Sequence, residues 1–313
     1  MALGCGAVWA VAVLLFRSLR HVEPVTLNLF KNTVASLLLL ATTLALGHRW
    51  QVFERPSDLA SLVLSGVLGL AIADSLFLMG LARIDTSVAA VADCAYAPTV
   101  LVLAMVFLGE VPSKGLILGT PLVLVGLAAV AWSGQAGAVD RKGLLLVLSG
   151  VVTTATGVVV ARPALTRTDL FEATTIRLLA GAVALLIVSA LRGRGREALS
   201  LLRPQPLWTR AMPAALLGTY VSMLLWLGGM KYGTASRAAL LNQTGTLWLL
   251  LGSWLAGEVI SRRRAAGALV ALGGVLVVIR GETPKPTSGE PGGSLVRCPP
   301  DEMASSPDGR CER

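Results

Sequence analysis

The chain of 313 residues is long enough for two ordinary domains, but 54% of it is hydrophobic, 14% is charged and its mean hydropathy is +0.72, whereas a soluble domain carries about 25% charged residues. So few charges cannot clothe a water-facing surface of this size, which excludes the soluble classes along with coiled coil, collagen and disorder, and leaves an all-α, polytopic membrane protein. The net charge of +9 lies scattered between apolar runs, as membrane loops place it, with no basic stripe interleaved with aromatics, so no nucleic-acid partner is expected.

Ten apolar runs are predicted as helices, at 2–17, 25–46, 59–81, 87–108, 116–132, 143–161, 173–191, 210–230, 235–256 and 265–280. Most approach the ~20 residues that cross a bilayer, and runs such as 116–130 are apolar on every face, which a barrel strand would not be. The first run has no charged segment before it, so it reads as a membrane helix rather than a signal peptide. It is short for a core of ~30 Å, which fits a start further upstream. Trp9 on it is a candidate to line a cavity. At 1.5 Å per residue, Lys31 in the second run, Asp74 in the third and Asp93 in the fourth each lie roughly 10 Å from loops on one side. An ionisable group at that depth costs at least ~2.5–3.5 kcal/mol, so such groups are functional candidates by default. The three are expected to share one layer, mutual pairing being the cheapest way to hold them, and to serve a substrate or coupling-ion site. Tyr96 follows as a second cavity-lining candidate, and Pro98 is expected to kink the fourth helix near the layer.

Glu110 ends the fourth run beside Lys114, and Glu258 ends the ninth beside Arg262; both are expected as turn-forming or gate-closing ion pairs. Arg177 in the seventh run lies near enough to a helix start to snorkel, and is otherwise a substrate candidate. Ser222 and the pair Asn242 and Gln243, in the eighth and ninth runs, make a polar but uncharged layer that either orients a ligand by hydrogen bonds or ties helices together. Trp226 is a third cavity-lining candidate. Cys5 and Cys94 sit in apolar runs as packing residues. No Cys/His cluster has metal-ligand spacing and no glycine-rich phosphate loop is present, so neither a metal, a cofactor nor enzyme chemistry is expected. Residues 282–313, with six Pro, four Gly and four Ser, cannot bury enough surface to offset ordering entropy and are expected to be a disordered tail.

Internal repetition organises the rest. Gly109-Glu110-Val111 recurs as Gly257-Glu258-Val259, an offset of 148 that also pairs Gly80 with Gly228, Ser113 with Ser261, Gly119 with Gly267 and Gly126 with Gly274. Upstream, an offset of 146 pairs Gly4 with Gly150, Glu23 with Asp169 and Lys31 with Arg177. Two copies of a five-helix unit, 1–134 and 143–281, follow. Five is odd, so the copies enter the membrane from opposite sides and have inverted topology, an architecture of secondary transporters that rock one repeat against the other around a midplane site. The fifth and tenth runs carry no intramembrane charge but have glycines spaced for packing, and are expected at the periphery.

The stretches Ala73-Asp74-Ser75-Leu76-Phe77, Gly80-Leu81-Ala82-Arg83-Ile84, Ala97-Pro98-Thr99 and Leu108-Gly109-Glu110 resemble EamA-type members of the drug/metabolite transporter superfamily. So do Leu225-Trp226-Leu227-Gly228-Gly229-Met230-Lys231, Ala239-Leu240-Leu241-Asn242-Gln243-Thr244 and Gly257-Glu258 in the second half. The second half departs from the first in having Thr246 where the first has Pro98. The resemblance implies a ten-helix carrier of the inner (plasma) membrane that moves a small metabolite or drug, usually outward, with both termini cytoplasmic. Loop charges by themselves leave the orientation open, with 13 Lys/Arg on one side and 12 on the other. Transport driven by a gradient, protons included, or by exchange is the leading reading, and a non-transporting membrane scaffold or sensor on the same duplicated fold is the alternative.

Overall fold

The computed structural model describes residues 1–19, 22–47, 50–81, 83–84, 89, 92–131, 140–255 and 261–281. The expected tail at 282–313 and Glu258 lie outside the described residues. Within them, all regular structure is helical. We number the longer helices α1 (Ala2–Arg17), α2 (Pro24–Ala45), α3 (Pro56–Gly66), α4 (Asp74–Leu81), α5 (Tyr96–Leu108), α6 (Lys114–Ala131), α7 (Arg141–Arg167), α8 (Leu170–Leu191), α9 (Trp208–Ala215), α10 (Ser222–Tyr232), α11 (Ala235–Asn242), α12 (Gly245–Leu255) and α13 (Arg262–Arg280).

The repeat pairs seen in the sequence turn out to be helix punctuation. Glu23 accepts from the Thr26 amide at the start of α2, and its counterpart Asp169 accepts from the Phe171 and Glu172 amides at the start of α8. Each carboxylate satisfies donors that a helix start leaves unpaired and complements the helix dipole. The same two helices end at Gly47 and Gly193, with φ of +67° and +70°, a left-handed conformation that costs glycine nothing.

Five predicted helices differ in form or extent. α3 and α4 are joined by a π-helical segment, Val67–Ala73, and α9 and α10 by another, Leu216–Val221. Their starts lie 149 residues apart, within one residue of the repeat offset. The predicted helix 235–256 is two helices, because the chain turns at Gln243 and Thr244 between α11 and α12. The first half has the matching turn at Cys94 and Ala95, immediately before α5. Pro98 therefore falls in the first turn of α5, where its missing amide costs no hydrogen bond, and does not kink a continuous helix as expected. The predicted helix 143–161 runs on through Pro163 to Arg167.

Five helical stretches, Pro24–Ala45, Pro56–Gly80, Arg141–Arg167, Leu170–Leu191 and Trp208–Tyr232, are long and apolar enough to cross a membrane, and the remaining apolar helices are shorter. Leu37, Leu44, Phe107, Val125 and Leu269 stand outward and exposed. In water such surface would be a liability; a bilayer supplies its partner.

Packing follows the repeat. α2 lies antiparallel to α8, since Thr43 near the end of one meets Thr175 near the start of the other, Oγ1 to Oγ1 3.4 Å. α1 packs on α9, α10 and α12, and α7 packs on α3, α4 and α5. α6 and α13 pack chiefly on each other, away from the centre as expected, and antiparallel: Gly115 meets Gly281, Gly119 meets Gly274, and Gly126 meets Gly267 and Ala271. A Cβ on Gly126 would run into the Ala271 amide and the Gly267 carbonyl. Small residues let helix backbones meet where no hydrophobic drive between helices exists in lipid. Gly126→Ala should therefore lower the melting temperature of the purified protein by several degrees, an overpacking cost of about 1–3 kcal/mol. Gly252→Ala, with nothing within 4 Å of the added carbon, should not lower it. Equal melting temperatures for the two variants would contradict this contact.

Candidate functional site

α2 carries a polar stripe into the apolar interior. Asn28 and Asn32 are fully buried. Asn28 Nδ2 donates to the Leu70 carbonyl at 2.9 Å, and Asn32 Nδ2 donates to Asn28 Oδ1 at 3.2 Å. Leu70 lies within the first π-helical segment, where the wider turn breaks the i to i+4 ladder and leaves backbone groups to find partners elsewhere. Neither asparagine was a candidate from sequence; polar residues inside the 25–46 run were the available signal. One turn on, Lys31 Nζ lies 2.7 Å from Asp74 Oδ2, with the side chains 12% and 29% exposed. The expected layer thus contains a formed ion pair at its first two members. Asp93 is not part of it: among the described residues no ion pair joins it to Lys31. Its backbone carbonyl instead accepts from Gln243 Nε2 at 2.6 Å, which ties the turn before α5 to the turn after α11.

Arg177 does not snorkel. It lies two turns inside α8 and is 1% exposed. Its guanidinium reaches inward past the first π segment, where a Cβ on Gly69 would be 3.5 Å from Nη2. Its Cζ lies 5.6 Å from the centre of the Trp226 ring, which in turn lies 6.4 Å from the Tyr96 ring. Two cavity-lining candidates and one charged candidate, from both halves of the chain, thus meet in one place. Helix α3 allows this because Gly66 touches the Arg177 backbone itself.

The remaining candidates have other roles or places. Ser222 Oγ donates to Gly218 O within its own helix at 2.6 Å, so its hydroxyl is engaged locally. Asn242 has a buried Oδ1 without a partner among the described residues. Trp9 is 41% exposed and packs on Phe16 at 6.4 Å between ring centres. Glu110 does not pair with Lys114. Its carboxylate accepts from the Ala235 amide at 2.8 Å and from the Ser236 amide and hydroxyl at 3.2 and 2.7 Å, capping α11 of the other half. Capping satisfies orphan amides and a helix dipole together, which a solvated lysine cannot match. Lys114 and Arg262 are both exposed.

Two further ties join the halves at the same end of the bundle. Arg167 clasps Asp58, with Nε to Oδ2 at 3.2 Å, and Glu172 accepts from the Gln51 and Val52 amides at 3.1 and 3.4 Å. Beside them Lys231 Nζ donates to Leu165 O at 3.2 Å and to Thr168 O, and Arg162 donates to Gly233 O.

The model of the EamA-like transporter family matches residues 1–132 and 141–280. No curated protein matches the chain. A solved structure titled "Crystal structure of protein" is similar over 90% of this chain and 98% of its own, with a TM-score of 0.71 and 18% identity, a likeness of fold alone.

Proposed function

Because the chain belongs to the EamA-like transporter family, whose two matches cover 1–132 and 141–280, we propose that it is a secondary transporter moving a small metabolite or drug by alternating access between two inverted five-helix repeats. The coarser statement needs no proposal: this is a multi-pass membrane protein of a transporter family, not of an enzyme family. On our reading ten helices cross the bilayer of the inner (plasma) membrane, the two discontinuous ones being α11–α12 and the helix that ends as α5. Outward transport, with both termini cytoplasmic, completes it.

The observation that carries the reading is the pairing of discontinuities. π segments and helix breaks recur at the same offset in both halves and border the Lys31–Asp74 and Arg177 side chains. Broken helices at a repeat interface are where transporters of this architecture place substrate and coupling-ion sites, and where irregular backbone is tolerated at membrane depth. Glu110, Asp58 and Glu172 then act as latches of the closed end, each bridging the two halves. A rigid scaffold would have no need to break them.

Alternating access requires that these latches open. A Glu110→Cys/Ser236→Cys protein with its native cysteines replaced by alanine should partition in proteoliposomes between two populations. One forms the disulfide on oxidation; the other is labelled by maleimide, and reduction should restore exchange between them. Complete and lasting protection of both cysteines would mean that this end never opens, and the scaffold alternative would stand.

A further inference from the structure

The guanidinium of Arg177 is enclosed without an acceptor among the described residues. The residue is 1% exposed, and its Nε, Nη1 and Nη2 are all buried with no hydrogen-bond partner among the described residues. No carboxylate of those residues is within ion-pair distance. The face of Trp226 at 5.6 Å offsets only part of the cost, since a cation over a ring gains little compared with a paired charge. Two neighbours line the same place: Tyr96 Oη and Trp226 Nε1 are also buried, on rings 6.4 Å apart, near enough for the indole N–H to interact with the phenol oxygen. The three guanidinium nitrogens thus meet no acceptor among the described residues. Buried polar groups are otherwise almost always satisfied, so each exception calls for a cause.

We propose that Arg177, flanked by Tyr96 and Trp226, is the recognition site for the carboxylate of a small organic acid with an apolar body. This deepens the carrier reading and rests on it, since a ligand reaches so enclosed a group only if the bundle opens. A planar guanidinium presents parallel N–H groups that match a carboxylate two for two. Charge sets the class. Lys31 is already paired with Asp74, and no carboxylate of the described residues pairs with Arg177; a monoanion balances that guanidinium one for one, whereas a phosphate dianion would carry a second negative charge into a dry interior. The apolar body would meet the Tyr96 and Trp226 rings beside the guanidinium. Gly69 matters because its bare backbone leaves space beside Nη2.

The test is thermal unfolding of the purified full chain in detergent at constant ionic strength, with benzoate and indole-3-acetate against benzamide, indole-3-acetamide and inorganic phosphate. The two acids should raise the melting temperature saturably; the amides and phosphate should not. Arg177→Gln should lose the acid-induced shift, a loss of binding of tenfold or more. Without ligand it should melt at or above the wild-type temperature, because an uncompensated buried charge is gone. A structural arginine would do the reverse, the variant melting well below wild type with the acid shift intact. Trp226→Phe, which removes one donor and keeps the ring, should weaken acid binding several-fold even if Arg177→Gln fails to fold. Silence of both acids on wild type, or equal shifts by acids and amides, overturns the proposal. If the latch cysteines at 110 and 236 still exchange, only the ligand class has failed; if they are inert, the carrier reading has failed with it.

Discussion

Asp74→Asn should destabilise the protein markedly, because it leaves the Lys31 ammonium in the bilayer interior without the carboxylate now 2.7 Å away. An unpaired lysine at that depth costs about 2.5–3.5 kcal/mol on insertion scales, reduced here to the extent that the 29% exposure of Asp74 admits water. A fall of several degrees in melting temperature in detergent is the readout. The double variant Lys31→Met/Asp74→Leu should recover most of the loss, since replacing both partners of a buried pair by apolar groups is often neutral or better. Flux then separates two uses of the pair. If the double variant recovers pH-gradient-driven transport along with stability, the pair is a strut. If stability returns and solute counterflow persists while pH-driven flux does not, Asp74 carries the coupling proton, as a carboxylate whose cation moves away in one half of the cycle can do. Equal melting temperatures for Asp74→Asn and wild type would remove the ion pair from either account.

Gly66→Ala is the second change with a large expected effect. An added Cβ would overlap the Arg177 carbonyl across the α3–α8 contact, and a backbone atom, unlike a side-chain end, cannot rotate out of the way. The two helices must separate, at a cost of about 1–3 kcal/mol, and Arg177 moves with α8. The protein should therefore lose acid-induced thermal stabilisation although every residue of the recognition site remains. Gly69→Ala is the control. Its Cβ would lie 3.5 Å from Arg177 Nη2, ordinary contact with the end of a flexible side chain, so the apo melting temperature should hardly change while acid binding weakens from lost space. If Gly66→Ala melts with wild type and binds acids as well, the close approach of α3 to α8 is not what positions Arg177.

The depth arithmetic at 1.5 Å per residue was enough to place Lys31 and Asp74 in one layer, because a rigid helix converts sequence distance into depth with little error. It could not place Asp93, which sits beside a chain turn rather than within a continuous helix. The same blindness hid the breaks at Cys94–Ala95 and Gln243–Thr244: the polar residues beside them, Asp93 and the pair Asn242 and Gln243, read equally well as site candidates inside apolar runs, and a π segment satisfied by tertiary partners leaves no composition signal. Arg177 shows the limit most clearly. Its distance from a helix start permitted snorkelling, and only the packing of Gly66 on its backbone and Trp226 over its guanidinium turned the side chain inward.

What the sequence determined by itself was membrane class, helical content and the duplication. Each is a property summed over many residues: apolar runs long enough for a bilayer, a shortage of charge, and residue pairs in collinear order. Even the repeat's punctuation was present, Glu23 with Asp169 marking two helix starts, since caps are local chemistry. Pairings between distant residues were decided by the tertiary structure alone. Glu110 had a lysine four residues away and instead caps a helix 125 residues on. A solvated neighbour offers a carboxylate little, whereas orphan amides at a helix end, brought to it by the packing of the other half, offer several aligned donors and a dipole. Which acceptor or donor a polar group meets depends on which helices touch, and in this chain that is set by glycines where backbones meet, long before the polar groups themselves have a say.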